Sequence, residues 1–357
     1  MLRRSRSTSR LDRWLSARLA ADYRRDLGNA RQAFRLSLDH GQAGDAVEIA
    51  AGAALLWRTA LGCTEGAAWV DELVATELDV RDRLWVQVLR ADIGLGRGDY
   101  REMADAAASA QALAPGGDDA AAACLAAHYE ALVHLTDPEP ARAHLAAAMR
   151  QAGHAGDARL ATLVTAFVAA ANLAAAEYDE AHTLLEKLDR EASDDGYDRF
   201  VAHWIGWLLG IAGRDAGVAN RWMGAQQDFL DRTGIMETWI SSFSAAMTQV
   251  TAGGDFRDQL DRALSLAVRE GYRAEADCVL VLAYAEMCRE RYAAAAELMG
   301  TAIRGRFNTT AHYVLYHVVL AQPIRRLVDP RDLADAIARG RRRTAAEALA
   351  EYGIPEP

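Results

Sequence analysis

The chain has 357 residues, 51% of them hydrophobic, and a formal net charge of −10. This acidic balance argues against a surface that holds nucleic-acid phosphates, so we expect no direct nucleic-acid partner. No run approaches the roughly 20 apolar residues that span a bilayer, and the basic N-terminus lacks the apolar stretch of a secretory signal. The four cysteines form no C-x-x-C pair. Together these features predict a cytoplasmic protein without a membrane partner.

The N-terminal part of the sequence predicts a tail followed by helices. Residues 1–10 are rich in serine and arginine, so we expect a disordered tail. Apolar residues then recur at three- and four-residue spacing through residues 11–79, which is typical of amphipathic helices. Gly41 predicts the end of one helix, and Thr64 predicts the start of another that carries Trp69.

A short phrase recurs along the chain and predicts a repeat architecture. Each copy places an aromatic residue after a helix break and before an amphipathic helix. The copies are RGDYREMADAA (97–107), AEYDEAHTLLE (176–186), GDFRDQLDRAL (254–264) and ERYAAAAELMG (290–300). With weaker copies between them the period is roughly 36–40 residues, which indicates helix pairs of the tetratricopeptide (TPR) kind. We predict an all-α, TPR-like, right-handed α-solenoid in which Tyr100, Tyr178, Phe256 and Tyr292 pack against the first helix of their own pair.

The regular pairs are predicted over residues 80–306. Glycine-containing breaks separate the helices, among them Pro115-Gly116-Gly117, and no proline falls between Pro140 and Pro323. Because an internal proline costs a helix about 3 kcal/mol, that gap favours uninterrupted helices. The predicted pairs are 82–96 with 99–113, 118–135 with 138–152, 157–175 with 178–192, 197–212 with 215–233, 235–252 with 255–270, and 272–290 with 292–304.

Residues 307–357 are predicted to form a C-terminal cap, which a solenoid needs to cover its last repeat. Asn308 predicts the start of a helix that ends at Pro323. The β-branched and aromatic residues between them also suit a strand by propensity, but a strand would lack a partner here. Two short helices, 331–339 and 343–352, follow.

Motifs for catalysis and cofactor binding are missing from the sequence. The single lysine, Lys187, lies in the middle of a predicted helix, far from any glycine-rich turn that could form a P-loop. Cys124 and His128 have the helical spacing of metal ligands, but two ligands without a second pair favour a core pair instead. We therefore predict a protein that is not an enzyme and has no cofactor and no metal. The alternative is an enzyme built on an α-solenoid or toroid frame.

Polar and aromatic residues on the first helix of each pair are the candidate binding residues. In repeat solenoids that helix lines the concave wall, and an aromatic groove with arginine suits a peptide or a small ligand. The alternative interpretation is that the tryptophans fill gaps between repeats. The candidates are Asn172, Arg199, His203, Trp207, Trp239, Phe243, Asp277 and Tyr284.

Three N-terminal segments carry a family resemblance: NARQAFRLSLDHG (29–41), DAVEIAAGAALLW (45–57) and LGCTEGAAWVDEL (61–73). They resemble the start of the helical-repeat region of large actinobacterial LuxR-type and cyclase-ATPase signal-transduction regulators. Those regulators join an NTPase module, and often a helix-turn-helix, to the repeats; this sequence contains neither. The matching positions are Asn29, Arg31, Gly41, Asp45, Trp57, Gly62, Glu65, Gly66 and Trp69.

The resemblance implies the role of the repeat region alone, which is to sense a ligand or to contact a partner. We therefore expect a non-catalytic module that binds a protein or peptide, or a small-molecule ligand, in transcriptional or signal-transduction regulation. The alternative is a scaffold or accessory protein of a biosynthetic or enzymatic assembly.

Overall fold

A computed structural model describes residues 25–54, 57, 60–97, 99–135, 137–191, 196–233, 239–269, 274–304 and 315–354. Over these ranges the regular secondary structure is helical, without a β-strand, so the predicted all-α class is confirmed. The predicted tail, 1–10, lies outside the described residues. Within the same ranges, no helix has the length and the hydropathy needed to cross a membrane.

The described residues form eighteen α-helices and one π-helix, labelled here in chain order. They are α1 Leu27–Asp39, α2 Ala43–Gly52, α3 Ala60–Val74, α4 Val80–Gly96, α5 Tyr100–Gly117, α6 Ala120–Val133, α7 Pro138–Ala155, α8 Ala158–Ala174, α9 Tyr178–Glu191, α10 Tyr197–Ala212, α11 Ala216–Thr233, α12 Trp239–Thr251, α13 Arg257–Arg269, α14 Glu275–Cys288, α15 Tyr292–Arg304, the π-helix Leu315–Ala321, α16 Gln322–Leu327, α17 Pro330–Gly340 and α18 Ala345–Glu351.

Consecutive helices are joined by short connections and contact each other, beginning with α4 against α5 and continuing to α14 against α15. The first members of these pairs are α4, α6, α8, α10, α12 and α14, which we call the first helices. Each first helix also contacts the next one along the chain. Near the C-terminus, α17 packs against α15, and α18 packs against α14 and α15.

The two members of a pair differ in how much of their surface is buried. In α14, a first helix, every residue from Ala276 to Met287 is buried. In α9, a second helix, burial is confined to Ala181, Leu185 and Leu188, which form one stripe. The sequence accounts for this difference, since α14 is apolar from Cys278 to Ala285 whereas α9 carries charged residues outside its stripe. The first helices therefore lie in the interior of the molecule.

Aspartate side chains start several of these helices. Asp79, Asp99 and Asp119 each accept a hydrogen bond from the backbone N–H three residues later, at 2.7, 3.0 and 3.0 Å. Such a cap contributes about 1 kcal/mol compared with alanine. Asp137 stands at the same position before α7, but its side chain makes no capping hydrogen bond, and Pro138 begins the helix as predicted.

The aromatic residues of the repeated phrase differ in burial. Phe256 is buried, and Tyr100 and Tyr292 pack at the edge of the core. Tyr178 is 37% exposed, and the packing of all four against the first helix of their own pair stays a prediction. Charged Glu177 and Asp179 flank Tyr178 at the start of α9, where the chain is open to solvent.

Two prolines do not end helices where the sequence suggested. Pro115 lies in the last turn of α5, which continues to Gly117. Pro323 lies in the first turn of α16, where the missing N–H of proline has no intrahelical partner to lose. The helical path therefore continues from the π-helix to Leu327, and the strand alternative is excluded over residues 315–321. The predicted cap residue Asn308 lies outside the described residues.

Candidate functional site

The aromatic groove candidates lie in the core. Trp207 on α10 is 1% exposed, and its indole Nε1 donates a hydrogen bond to Thr248 Oγ1 of α12 at 3.0 Å. Trp239 and Phe243 are also buried, with their rings edge to face at 6.0 Å. A ligand in an open groove does not reach these side chains in this structure. In this structure all three side chains belong to the core, and the hydrogen bond of Trp207 joins α10 to α12.

Tyr284 has the same structural role one pair further along. Its side chain is fully buried in α14, and its hydroxyl donates to the backbone oxygen of Ile211 at 2.8 Å. The hydroxyl of Thr251 on α12 lies 3.2 Å away. Burial raises the pKa of Tyr284, so the phenol keeps its proton. Tyr284 therefore joins three first helices, α10, α12 and α14.

The two remaining core candidates are polar. Asn172 is 8% exposed, and its Oδ1 accepts a hydrogen bond from Arg142 Nη2 at 3.2 Å. Arg142 is also paired with Glu177, so this cluster ties α7 to α8 and to the start of α9. Asp277 is fully buried in the first turn of α14, where the helix dipole stabilises a carboxylate.

Arg199 and His203 belong to an ionic cluster that the structure completes with Asp189. His203 Nε2 lies 3.1 Å from Asp189 Oδ1, and Arg199 Nη2 lies 4.0 Å from the same oxygen. The side chain of His203 is 2% exposed, whereas those of Arg199 and Asp189 are 18% and 38% exposed. Asp189 and Arg199 are therefore the members that a ligand can contact.

The electrostatics of this cluster keep its histidine neutral. Burial lowers the pKa of His203, and the neighbouring Asp189 carboxylate only partly offsets that effect, so the imidazole is neutral near pH 7. Within the described residues no hydroxyl or thiol is hydrogen-bonded to His203. The imidazole can position Asp189, and with it Arg199, for a charged or hydrogen-bonding ligand.

Sequence reasoning missed Asp189 because it lies on a second helix. It belongs to α9, on the pair that precedes α10, and LDRE around it reads as an ordinary solvated stretch. The next ring in the cluster was missed for the same reason: Trp222 of α11 lies 5.7 Å from the His203 ring. Contacts between second helices and the following first helix have no local sequence signal.

The π-helix covers part of the first-helix surface. It contacts α8, α10 and α14, which are the first helices of three pairs. Six of its seven residues are buried. The members are Leu315, Tyr316, Val318, Val319, Leu320 and Ala321. The C-terminal segment thus does more than cap the last pair, because it reaches back to helices more than a hundred residues earlier in the chain.

Cys124 and His128, which have the helical spacing of metal ligands, lie together in the core. Burial raises the pKa of the Cys124 thiol to about 12. The His128 ring packs edge to face on Tyr129 and Phe167, at 5.3 and 4.4 Å. The metal-ligating residues that the described structure does bring together are Glu130, His134 and His144, between α6 and α7.

Comparison with known proteins gives no family to set beside this geometry. No protein-family model matches the chain, and none of the curated proteins matches it either.

Proposed function

We propose that the chain is a TPR-like, right-handed α-solenoid that acts as a non-catalytic protein- or peptide-binding module. The repeat is supported by side-chain bonds that join residues about one helix pair apart. The separations along the chain are 34 for Trp85 to Asp119, 37 for Tyr129 to Asp92, 35 for Arg142 to Glu177, 41 for Trp207 to Thr248 and 33 for Thr251 to Tyr284. Contacts to the neighbouring repeat are what hold a solenoid together.

The observation that supports the binding function is the surface on which the π-helix packs. The surfaces of α8, α10 and α14 already accommodate an apolar helical segment of this chain. Recognition of an amphipathic helix in an apolar groove is a common mode of peptide binding. Arg199 lies on α10, one of the helices that the π-helix contacts, and with Asp189 it offers partly exposed charges to a bound segment.

The resemblance to actinobacterial regulators supports a place in transcriptional or signal-transduction regulation. Its matching residues contact one another in the N-terminal helices. Arg31 donates to both oxygens of Glu65, at 2.6 and 2.7 Å. Trp57 and Trp69 pack edge to face at 5.3 Å, and Trp57 lies so close to Gly66 that a Cβ there would collide with it. These positions support a shared packing of α1 to α3, and the regulatory role is carried by the resemblance.

Binding of the segment in trans tests the proposal. Leu320→Asp places a charge at a fully buried position of the π-helix and should release it from the first helices. A labelled peptide of residues 315–328 should then bind this variant, as followed by fluorescence anisotropy. It should bind the wild type far more weakly, because the tethered segment competes at high effective concentration.

Leu327→Asp is the matched control, because Leu327 is 56% exposed and its substitution leaves the segment in place. Leu320→Ala provides a milder release of the same contact. The proposal fails if the Leu320 variants keep their helical circular dichroism and yet do not bind the peptide. It also fails if a peptide that itself carries Asp at position 320 binds equally well.

A further inference from the structure

The hairpin between α6 and α7 brings together three side chains of metal-ligating type. Glu130 and His134 are four residues apart at the end of α6, and His144 faces them from α7. Their ligand atoms all lie within 4.8 Å of one another. His134 Nε2 is 4.0 Å from Glu130 Oε2, and the rings of His134 and His144 are nearly parallel, with centroids 5.3 Å apart.

The local backbone explains this convergence. α6 ends at Val133, and the N–H of Asp137 donates to the carbonyl oxygen of His134 at 2.8 Å, which closes a tight turn. Pro138 then starts α7, and His144 lies less than two turns into it. The turn is the reason that a residue ten positions further along the chain returns to the same place.

The surroundings leave the cluster open to an ion. The side chain of Glu130 is 13% exposed and that of His134 is 42% exposed, so one side of the cluster is reachable from solvent. In the described part of the chain, the ionic contact of Glu130 is with His134 and not with an arginine. The carboxylate is therefore not neutralised by a fixed positive charge.

A second glutamate and histidine pair shows what the cluster adds. His182 and Glu186 on α9 have the same four-residue spacing, with 3.6 Å between Nε2 and Oε1. There the carboxylate is also paired with Arg221, and no second histidine joins them within the described residues. Both pairs therefore share the four-residue spacing. Among the described residues, a third ligand and a glutamate without an arginine partner are found at the α6–α7 hairpin.

We propose that Glu130, His134 and His144 form a binding site for a divalent transition metal of the Zn²⁺ class. Two imidazoles and one carboxylate are a common zinc ligand set, and imidazole disfavours Mg²⁺ and Ca²⁺. Ligands at about 2.1 Å from zinc are roughly 3.4 Å apart in tetrahedral geometry, so the three side chains close in by about 1 Å. The fourth position faces the exposed side and takes water or a donor from a partner.

Metal titration of the full chain, after removal of metal with a chelator, tests this site. Isothermal titration with Zn²⁺ should give one ion per chain, and Co²⁺ should give the visible absorption of a low-symmetry site with nitrogen ligands. His144→Ala, His134→Ala and Glu130→Gln should each weaken Zn²⁺ binding at least about tenfold. Binding should also weaken as the pH falls, because protons compete for the imidazoles, and an excess of Mg²⁺ should not displace the ion.

His182→Ala is the matched control, and it should bind Zn²⁺ as the wild type does. All variants are checked by circular dichroism; Glu130→Gln preserves the shape of the side chain, so it tests the site even if a histidine variant does not fold. The proposal is overturned if the wild type shows no saturable Zn²⁺ binding, if Glu130→Gln and His144→Ala bind like the wild type, or if His182→Ala loses binding to the same extent.

Discussion

Replacing Trp207 with alanine distinguishes a core position from a groove position. The side chain is 1% exposed and is hydrogen-bonded to Thr248 on the next first helix. Removing a buried tryptophan costs about 3–5 kcal/mol of unfolding free energy. Trp207→Phe keeps most of the ring volume and loses only the indole hydrogen bond. Since the Thr248 hydroxyl still donates to Ser244 O at 2.9 Å, we expect Trp207→Phe to cost about 1–2 kcal/mol.

Urea unfolding followed by far-UV circular dichroism measures both effects. Tyr178→Ala is the matched control, because Tyr178 is 37% exposed and should cost less than about 1 kcal/mol. If Trp207 lay in an open groove, Trp207→Ala would keep the stability of the wild type and lose only ligand binding. An unfolding midpoint of Trp207→Ala equal to that of Tyr178→Ala would therefore refute the assignment of Trp207 to the core.

Three further substitutions and one control test the packing of the helices, including that of the π-helix. A Cβ at Gly210 would overlap the backbone of α11, so Gly210→Ala should lower the free energy of unfolding by about 1–3 kcal/mol in urea unfolding. Gly224→Ala is its control: a Cβ there meets open space, so the substitution should be neutral or stabilising by up to about 1 kcal/mol. Tyr284→Phe should cost about 1 kcal/mol in the same assay, because the carbonyl oxygen of Ile211 on α10 loses the phenol hydroxyl and keeps only the Arg214 N–H as a donor. Burial, assisted by Arg325, lowers the pKa of His317 to about 4. In the unfolded chain the same histidine has a pKa of about 6.5, so as the pH is lowered the unfolded state binds the proton first. The free energy of unfolding should therefore fall as the pH drops from about 6.5 to about 4. Thermal midpoints measured across this range should fall less in His317→Gln than in the wild type.

Much of the helical pattern could be predicted from the sequence because helix ends are determined by residues close to them in the chain. Capping aspartates such as Asp99, glycine breaks and the aromatic phrase all act within a few residues of the helix ends they define. The exceptions are instructive. Pro115 and Pro323 look like terminators, yet a proline is tolerated in a last or a first turn, so the residue type alone does not fix the boundary.

The candidate site was harder to predict because one spacing serves two purposes. Arg199, His203 and Trp207 follow each other at four-residue intervals, which describes both a groove stripe and a core stripe. The surrounding run from Trp204 to Ile211 contains no charged residue, and that feature could have indicated burial. Hydrophobic periodicity gives the face of a helix but not the identity of its neighbour.

Long-range contacts had no local signal at all. The return of the π-helix to α8 and α10 follows from the path of the whole chain, and its apolar composition suits a strand as well as a buried helix. The meeting of Glu130 and His134 with His144 depends on the tightness of the α6–α7 turn and on the phase of two helices. Both arrangements are properties of the tertiary structure and have no counterpart in the local sequence.

The central claim is that the first helices form a surface that binds a helical peptide, at present the chain's own π-helix. Hydrogen exchange measured by mass spectrometry tests this most directly, on the wild type and on Leu320→Asp with and without the peptide of residues 315–328. We predict slow exchange of residues 315–321 in the wild type, faster exchange there and in α8, α10 and α14 of the variant, and restored protection of those three helices when the peptide is added. Rapid exchange of residues 315–321 in the wild type, or protection by the peptide at other helices, would contradict the claim.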